Sequence, residues 1–581
     1  MLPSLRLLPC YSLRIRQLLA TVLLLVSTGF AAQAQAPAWQ TALALVQPTG
    51  SSSFVVASAL NDAGEVLVTG TFTGTVTLGA TTLRAVNSYA DTFVAKWSPT
   101  SNSFVWAVRV GGTEDDRVQA IAVQGSSIYL TGNAGLSILF ITKLTDTGST
   151  GSAVWNQQVT GSRYPNAYAL AVSGTNVYIA GCFEGTLTLG TVRLVNVDTS
   201  GNYDDLFVAK LSDAGTSATF RWAQRGGGAF TDCAYALAVN GSSVYVAGAF
   251  TGNSVKADFG TTQLVSASDY DTDLVVAKLT DAGNSGSFTW AKRAGGISNE
   301  VPQAMAVSGA NLYVTGTFGS TYREQADFGS TKLTNASATG ETDDIFVTKL
   351  TDAGTTGNFV WAQRAGGLLN DRSNTVVVSG PNVYIAGWFA SLTASFGSTT
   401  LTNPTTSGVS QESYVAHLAD AGSNSTLDWV QQAGGSGSES VATLLASGAR
   451  LYAAGYFTSP TARFGSITLT HPNPDDLTTG FLATLGPAAL AAATPVLTSR
   501  ISPYPNPAQQ RFTVELAGLV GATSVQAELL NAVGQVVWHR VVSVPAAGTP
   551  FTLEVGDLAA GLYTLRLQAA GTTATRQVVL Y

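Results

Sequence analysis

Charged side chains are scarce in this sequence. Its 29 Lys and Arg and 36 Asp and Glu make up 11% of 581 residues, where soluble domains carry about 25%. A disordered chain needs high charge with few apolar groups, and a nucleic-acid-binding chain needs a basic surface; the net charge of −7 and 45% apolar content fit neither. Histidine is almost absent, with 3 residues. His417, His471 and His539 share no metal-ligand spacing; His471 is expected in a surface loop. No Gly-x-Ser-x-Gly elbow, P-loop or dinucleotide fingerprint occurs, so no cofactor, metal or enzymatic activity is expected. No stretch after residue 40 approaches the roughly 18 continuous apolar residues of a membrane helix, so no membrane span is expected in the mature chain.

What is abundant is glycine, 60 residues, set among short apolar runs broken by Thr, Ser and Asn. That is the composition of many short strands joined by tight turns, an all-β chain. The N-terminus differs: Arg6, Arg14 and Arg16 precede an apolar run from Leu18 to Val26, which ends in Ala32-Gln33-Ala34. Residues 1–34 read as a secretory signal peptide. Cys10 would leave with it. The remaining Cys182 and Cys233 are too few for a disulfide framework and are expected either as one bridge or as two buried thiols.

Tryptophan reveals an internal repeat. Trp39, Trp106, Trp155, Trp222, Trp290, Trp361 and Trp429 sit in related surroundings, and all but the first are followed by one or two glycines and an alternating run such as AYALAV. VYIAG or a variant comes next, then Gly-x-Phe, an FG-x3-L segment, and an FVAKL-type strand beginning at Phe93, Phe140, Phe207, Val275, Phe346, Tyr414 or Phe481. Asp-Ala-Gly turns suit hairpins, because Asp bonds its own backbone and Gly takes positive φ. Each unit of about 64 residues predicts four strands with both faces unburied, so the units must stack, and a propeller closes them into a ring. The chain starts with a Trp strand and ends with an FVAKL strand, so the first strand is expected to complete the last blade. The unit between Trp106 and Trp155 lacks FG-x3-L.

The string WAVRVGGTEDDRVQAIAV from Trp106 to Val123, followed by IYLTG and FITKL, resembles the bacterial SBBP-type β-propeller repeat. The resemblance covers residues 37–485 and implies a seven-bladed propeller without an assigned activity. Residues 486–500 read as a linker. Residues 501–581 read as six strands in a small Ig-like β-sandwich. Tyr504-Pro505-Asn506-Pro507, the segments Leu529 to Val537 and Leu558 to Leu567, and the terminal position resemble the type A C-terminal sorting domain of the type IX secretion system. That resemblance implies export across the outer membrane, to the cell surface or medium, through contact with the type IX machinery.

Chemistry, if any, would come from acids. Asp116, Asp232, Glu300, Asp371 and Glu439 each stand ten residues after a repeat Trp and are candidates for a ring of ligand-face carboxylates. Pairing with Arg109, Arg225, Arg293 and Arg364 of the same units is the competing structural use. A second set, Asp91, Asp205, Asp273, Asp344 and Glu412, precedes the FVAKL strands, whose Lys96, Lys143, Lys210, Lys278 and Lys349 recur in register. Repetition in nearly every unit points to a folding role for both. Asp269 to Asp273 has the acidic spacing of a calcium loop but lacks its Gly and its bidentate Glu. The expected function is binding or scaffolding, toward a glycan or a surface protein, through loops on one face. The alternatives are a polysaccharide-degrading enzyme using two loop carboxylates, whose separation no linear motif encodes, or a structural, adhesive surface protein.

Overall fold

A computed structural model describes residues 36–487, except 161–162, 253–255, 269–270, 320–324, 338–341, 406–409 and 473–476. It also describes 501–581, except 517–523, 532–534, 544–549 and 570–571. The expected signal segment with Cys10, most of the expected linker, and the start of the calcium-like loop therefore lie outside the described residues. The chain divides into two units, Met1–Pro487 and Ala488–Tyr581.

Among the described residues, the first unit contains seven antiparallel sheets in chain order, each built on four strands, two of them extended to six by a hairpin of the next sheet. Sheets 1 to 6 span residues 52–110, 116–159, 163–226, 232–294, 300–367 and 371–434. Sheet 7 takes three strands from 439–486 and its fourth from Ala38–Ala44, at the other end of the sequence. Trp39 lies opposite Leu485 and Ala44 opposite Phe481, as the phase of the repeat predicts. The first strands of successive sheets pack on one another, and Ser52–Leu60 of sheet 1 packs on Glu439–Ser447 of sheet 7. The order is cyclic, a propeller-like ring.

Burial follows position. Second and third strands are covered on both faces: Val66–Thr73 and Asp91–Ser98 are buried at nearly every residue. The fourth strand Ser103–Val110 has a mixed burial pattern instead. Seven hydrophobic clusters result, one at each junction between neighbouring sheets. The cluster between sheets 7 and 1 joins Tyr452 and Leu482 to Val55 and Val68, so the ring has a core at its seam too. Where the second strand meets the first, the register slips by one residue, as between Val55 and Ala57. A Cβ on Gly70 would there collide with the Phe54 carbonyl and come within 2.9 Å of the Phe93 ring, which is why VYIAG-type strands carry glycine.

The FG-x3-L surplus is a two-stranded hairpin between second and third strands, as in Ala257–Phe259 with Thr262–Leu264. Six sheets have one. Sheet 2 runs directly from Ser127–Ala134 to Ile138–Asp146. The sequence left the two cysteines open. Cys182, on the second strand of sheet 3, is bridged to Cys233, on the first strand of sheet 4, with Cα atoms 4.9 Å apart.

Among the described residues, the C-terminal unit has seven strands rather than six, because Ile501–Tyr504 pairs with Arg511–Leu516. One sheet has three strands and the other four. Their apolar faces share one core, with Phe512, Val514 and Leu553 from the first sheet and Leu529, Leu565 and Val578 from the second.

Candidate functional site

At one end of the ring, the two acid sets meet in pairs across sheet junctions. Asp91 faces Asp116, Asp205 faces Asp232, Asp273 faces Glu300, Asp344 faces Asp371, and Glu412 faces Glu439, each pair around one glycine. A Cβ on Gly111 would lie 2.7 Å from Asp116 Oδ2 and 2.8 Å from Asp91 Oδ1, and its φ of 149° admits no side chain comfortably either. The five candidate ligand-face acids are thus turned inward. Asp116 is 4% exposed, and Asp232, Glu300, Asp371 and Glu439 are 0%. Each accepts the N–H of the second glycine of its Gly-Gly pair, at 2.6 Å for Gly112 to Asp116 and 2.9 Å for Gly435 to Glu439.

The arginines do not take these acids. They donate to the other set: Arg109 to Asp91 at 3.2 Å, Arg225 to Asp205 at 3.1 Å, Arg364 to Asp344 at 2.7 Å, and Arg293 to Asp273. The reason is register. Phe93 lies opposite Arg109 and Phe207 opposite Arg225, so the acid two residues earlier falls within reach of the guanidinium. In sheet 6, Gln432 donates to Glu412 at 3.0 Å in the arginine's place. Asp273 also accepts the N–H of Ala267, so the last acid of the calcium-like run is committed to arginine and backbone.

One cation beside two buried acids leaves an excess negative charge. Burial pushes Asp205, Asp344 and Asp371 up to about 6 and Glu412 up to about 7. Burial, with the neighbouring acid, also raises Asp232 and Glu300 well above the usual carboxylate range. Asp205, Asp273, Asp344 and Glu300 each keep one buried oxygen without a partner. Among the described residues, no group of three or more His, Cys, Asp or Glu is arranged to hold a metal ion.

The lysines do different work at the opposite end of the strands. Lys210 donates to Asp281 of the next sheet at 2.6 Å, Tyr178 donates to the same oxygen at 2.7 Å, and Trp222 donates to the other oxygen at 2.9 Å. Asp281 belongs to an Asp-Ala-Gly turn and also accepts Gly283 N–H at 2.9 Å. The same clasp recurs at Asp213, Asp352 and Asp420, and at Asp146 with Lys96 and Trp106. Burial alone would raise these acids, but the converging donors outweigh it and lower Asp213, Asp281, Asp352 and Asp420. The sequence showed the turn role of these aspartates and missed the clasp; the joint recurrence of Tyr, Lys and Trp was its only signal.

In sheet 6, His417 takes the lysine position. It bonds Asn382 at 3.0 Å, stacks on Trp429, and is held below the usual imidazole range by burial. His471 is a correction: it is buried, not on a surface loop, edge-on to Phe457 and 3.0 Å from the Thr479 hydroxyl. Tyr456 packs on Phe54, and sheet 2, which has no hairpin, borders a cleft of about 500 Å³.

In the C-terminal unit, Asn506 of the Tyr-Pro-Asn-Pro motif ties the chain's last strand down. Its side chain donates to Gln577 O at 3.0 Å and accepts Val579 N–H at 2.8 Å. Ala508 then runs parallel to the end of the chain, giving its N–H to Val579 O and accepting that of Tyr581.

Among solved structures, the chain is similar to a quinohemoprotein alcohol dehydrogenase from Comamonas testosteroni, at 11% identity over 78% of this chain and 77% of that one, TM-score 0.35. It is also similar to Drosophila Semaphorin 2a, at 8% identity over 94% and 98%, TM-score 0.36. A third is PorZ, described as an essential bacterial surface component of the type-IX secretion system of Porphyromonas gingivalis, at 12% identity over 91% and 81%, TM-score 0.19. At these scores the fold rests on the strand order itself. No curated protein matches the chain. Residues 502–581 match the family described as secretion system C-terminal sorting domain. The C-terminal unit is therefore a sorting domain of the type IX secretion system, and the chain that carries it is exported to the cell surface or the medium.

Proposed function

We propose that this is an exported, non-enzymatic binding or scaffold protein, in which a ring of SBBP-type repeats recognises a glycan or a surface protein through loops at one end, while the C-terminal unit engages the type IX machinery. One observation carries this reading: the repeated acids and lysines are buried and used in bonds between sheets, while apolar and aromatic side chains are left outside on the loops. Tyr89, Tyr203 and Leu368, exposed by 56%, 38% and 66%, stand on loops at the acid-bearing end, and Phe230 packs against Tyr203. Aromatic faces on rigidly spaced loops suit sugar rings and protein side chains alike.

The test is a glycan array and a pull-down with the full chain, beside assays of polysaccharide hydrolysis. Binding that falls about tenfold or more in Tyr89→Ala/Tyr203→Ala is the expected result. Hydrolysis that disappears when a single acid is replaced would overturn the reading.

A further inference from the structure

Six of the seven sheet junctions are filled by a hairpin of the following sheet. Its residues belong to the junction core: Ala257 and Phe259 between sheets 3 and 4, Ala326, Phe328 and Leu333 between 4 and 5, Ala394, Phe396 and Leu401 between 5 and 6. The hairpin also adds a strand to the end of the preceding fourth strand. Gly227 N–H donates to Asp258 O at 3.0 Å, and Asp258 N–H returns the bond at 2.9 Å. Gly295 pairs likewise with Asp327, Gly366 with Ser395, and Gly434 with Arg463.

The junction between sheets 1 and 2 has no hairpin, and its cluster is the one without hairpin residues. The 500 Å³ cleft lies there, with Val108 and Val110 on one wall and Phe140, Leu144 and Ala153 on the other. Among the described residues, Gly111, the counterpart of Gly227, forms no bridge to another strand. In sheets 1, 3, 4 and 5 the residue two before the Trp is Phe104, Phe220, Phe288 or Phe359, and in sheet 6 it is Leu427, each packed on the hairpin's glycine. Here it is Ala153, which deepens the cleft. Thr142 and Asn156, hydrogen-bonded at 2.9 Å, and Gln158 give its floor amide and hydroxyl groups.

We propose that this cleft is a docking site for a β-hairpin of a partner polypeptide, which pairs its edge with Gly111 and seats a Phe and a Leu between sheets 1 and 2. The occupant is specified by an interface the chain already makes six times; here the same interface has one side missing. Main-chain bonds would supply register and the pocket would supply selectivity, as in strand addition generally. Charge agrees. In the filled cleft of sheet 4, the carbonyl of Lys256 lies beside Gly228. Its counterpart Gly112 is two residues from Glu114, which lines the cleft, so an acid stands near the point where a docked hairpin's backbone would pass at its lysine. The site lies between sheets, its lining includes none of Tyr89, Tyr203 and Leu368, and it does not depend on that reading.

The probe is a peptide of residues 256–266, cyclised through added terminal cysteines to reduce its ordering cost, titrated against the full chain. Saturable one-to-one binding is expected. Replacing the probe's Phe by Ala should weaken it at least tenfold, and Glu114→Lys in the protein about two- to fivefold, the reach of an exposed ion pair. A chain with residues 256–266 grafted in place of residues 135–137 should melt higher and no longer bind the probe. If that graft fails to fold, the Glu114→Lys and Phe-to-Ala arms decide. No binding by the full chain, or binding indifferent to both changes, overturns the proposal.

Discussion

At the scale of the residue, protonation and stability are linked through the paired acids. Asp205, Asp344, Asp371 and Glu412 hold protons in the folded ring up to about pH 6 to 7, whereas in an unfolded chain carboxyls release them near pH 4. Between those limits the folded state binds more protons, so stability falls as pH rises. The melting temperature should be higher at pH 5 than at pH 7.5. Replacing Asp205, Asp344, Asp371 and Glu412 by their amides should flatten that slope; a steeper slope in the variant would contradict it. The clasp aspartates work the other way: with lowered folded values, their contribution is present above about pH 4 and is lost in stronger acid. Lys210→Met strands the buried Asp281 carboxylate and should cost about 3–5 kcal/mol in denaturant unfolding. Recurrence in sequence marked the second acid set and the lysines as structural, and left the first acid set between ligand contact and pairing with arginine. It did not give their partners, because the arginine's partner is fixed by strand register and the lysine's partner belongs to the next sheet.

At the scale of the element, the strands were legible because apolar runs and turn residues mark them directly. The FG-x3-L surplus was legible as a segment but not as a wedge, since its Phe acts on the sheet before its own. Its absence in one unit could be read from the spacing of Trp106 and Trp155; the cleft it leaves required coordinates. The cysteines were ambiguous for a similar reason: a separation of 51 residues says nothing about neighbouring strands. Closing that loop should stabilise by about 4 kcal/mol on a chain-entropy account. Cys182→Ser/Cys233→Ser should therefore lower the melting midpoint, and hydrogen exchange should report the loosening first between sheets 3 and 4. The strand Ile501–Tyr504 was missed because prolines at 503, 505 and 507 read as a break, although Ser502 and Tyr504 still pair with Arg511–Leu516.

At the scale of the whole molecule, export and closure are separable claims. Removing residues 502–581 should leave the chain inside the outer membrane, recovered in the periplasmic fraction rather than at the surface or in the medium. The ring claim is the central one, since every junction, clasp and acid pair presumes that each sheet has two neighbours. It was legible from the phase of the repeat, which begins with a Trp strand and ends with an FVAKL strand. The most direct test is at the seam, where Thr41 and Thr484 lie opposite each other with hydroxyls 2.8 Å apart. In Thr41→Cys/Thr484→Cys, mild oxidation followed by mass spectrometry of the digested chain should show a new disulfide within one chain, joining the peptides that carry residues 41 and 484. Free thiols at both positions, or a link only between two chains, would mean that the ring does not close.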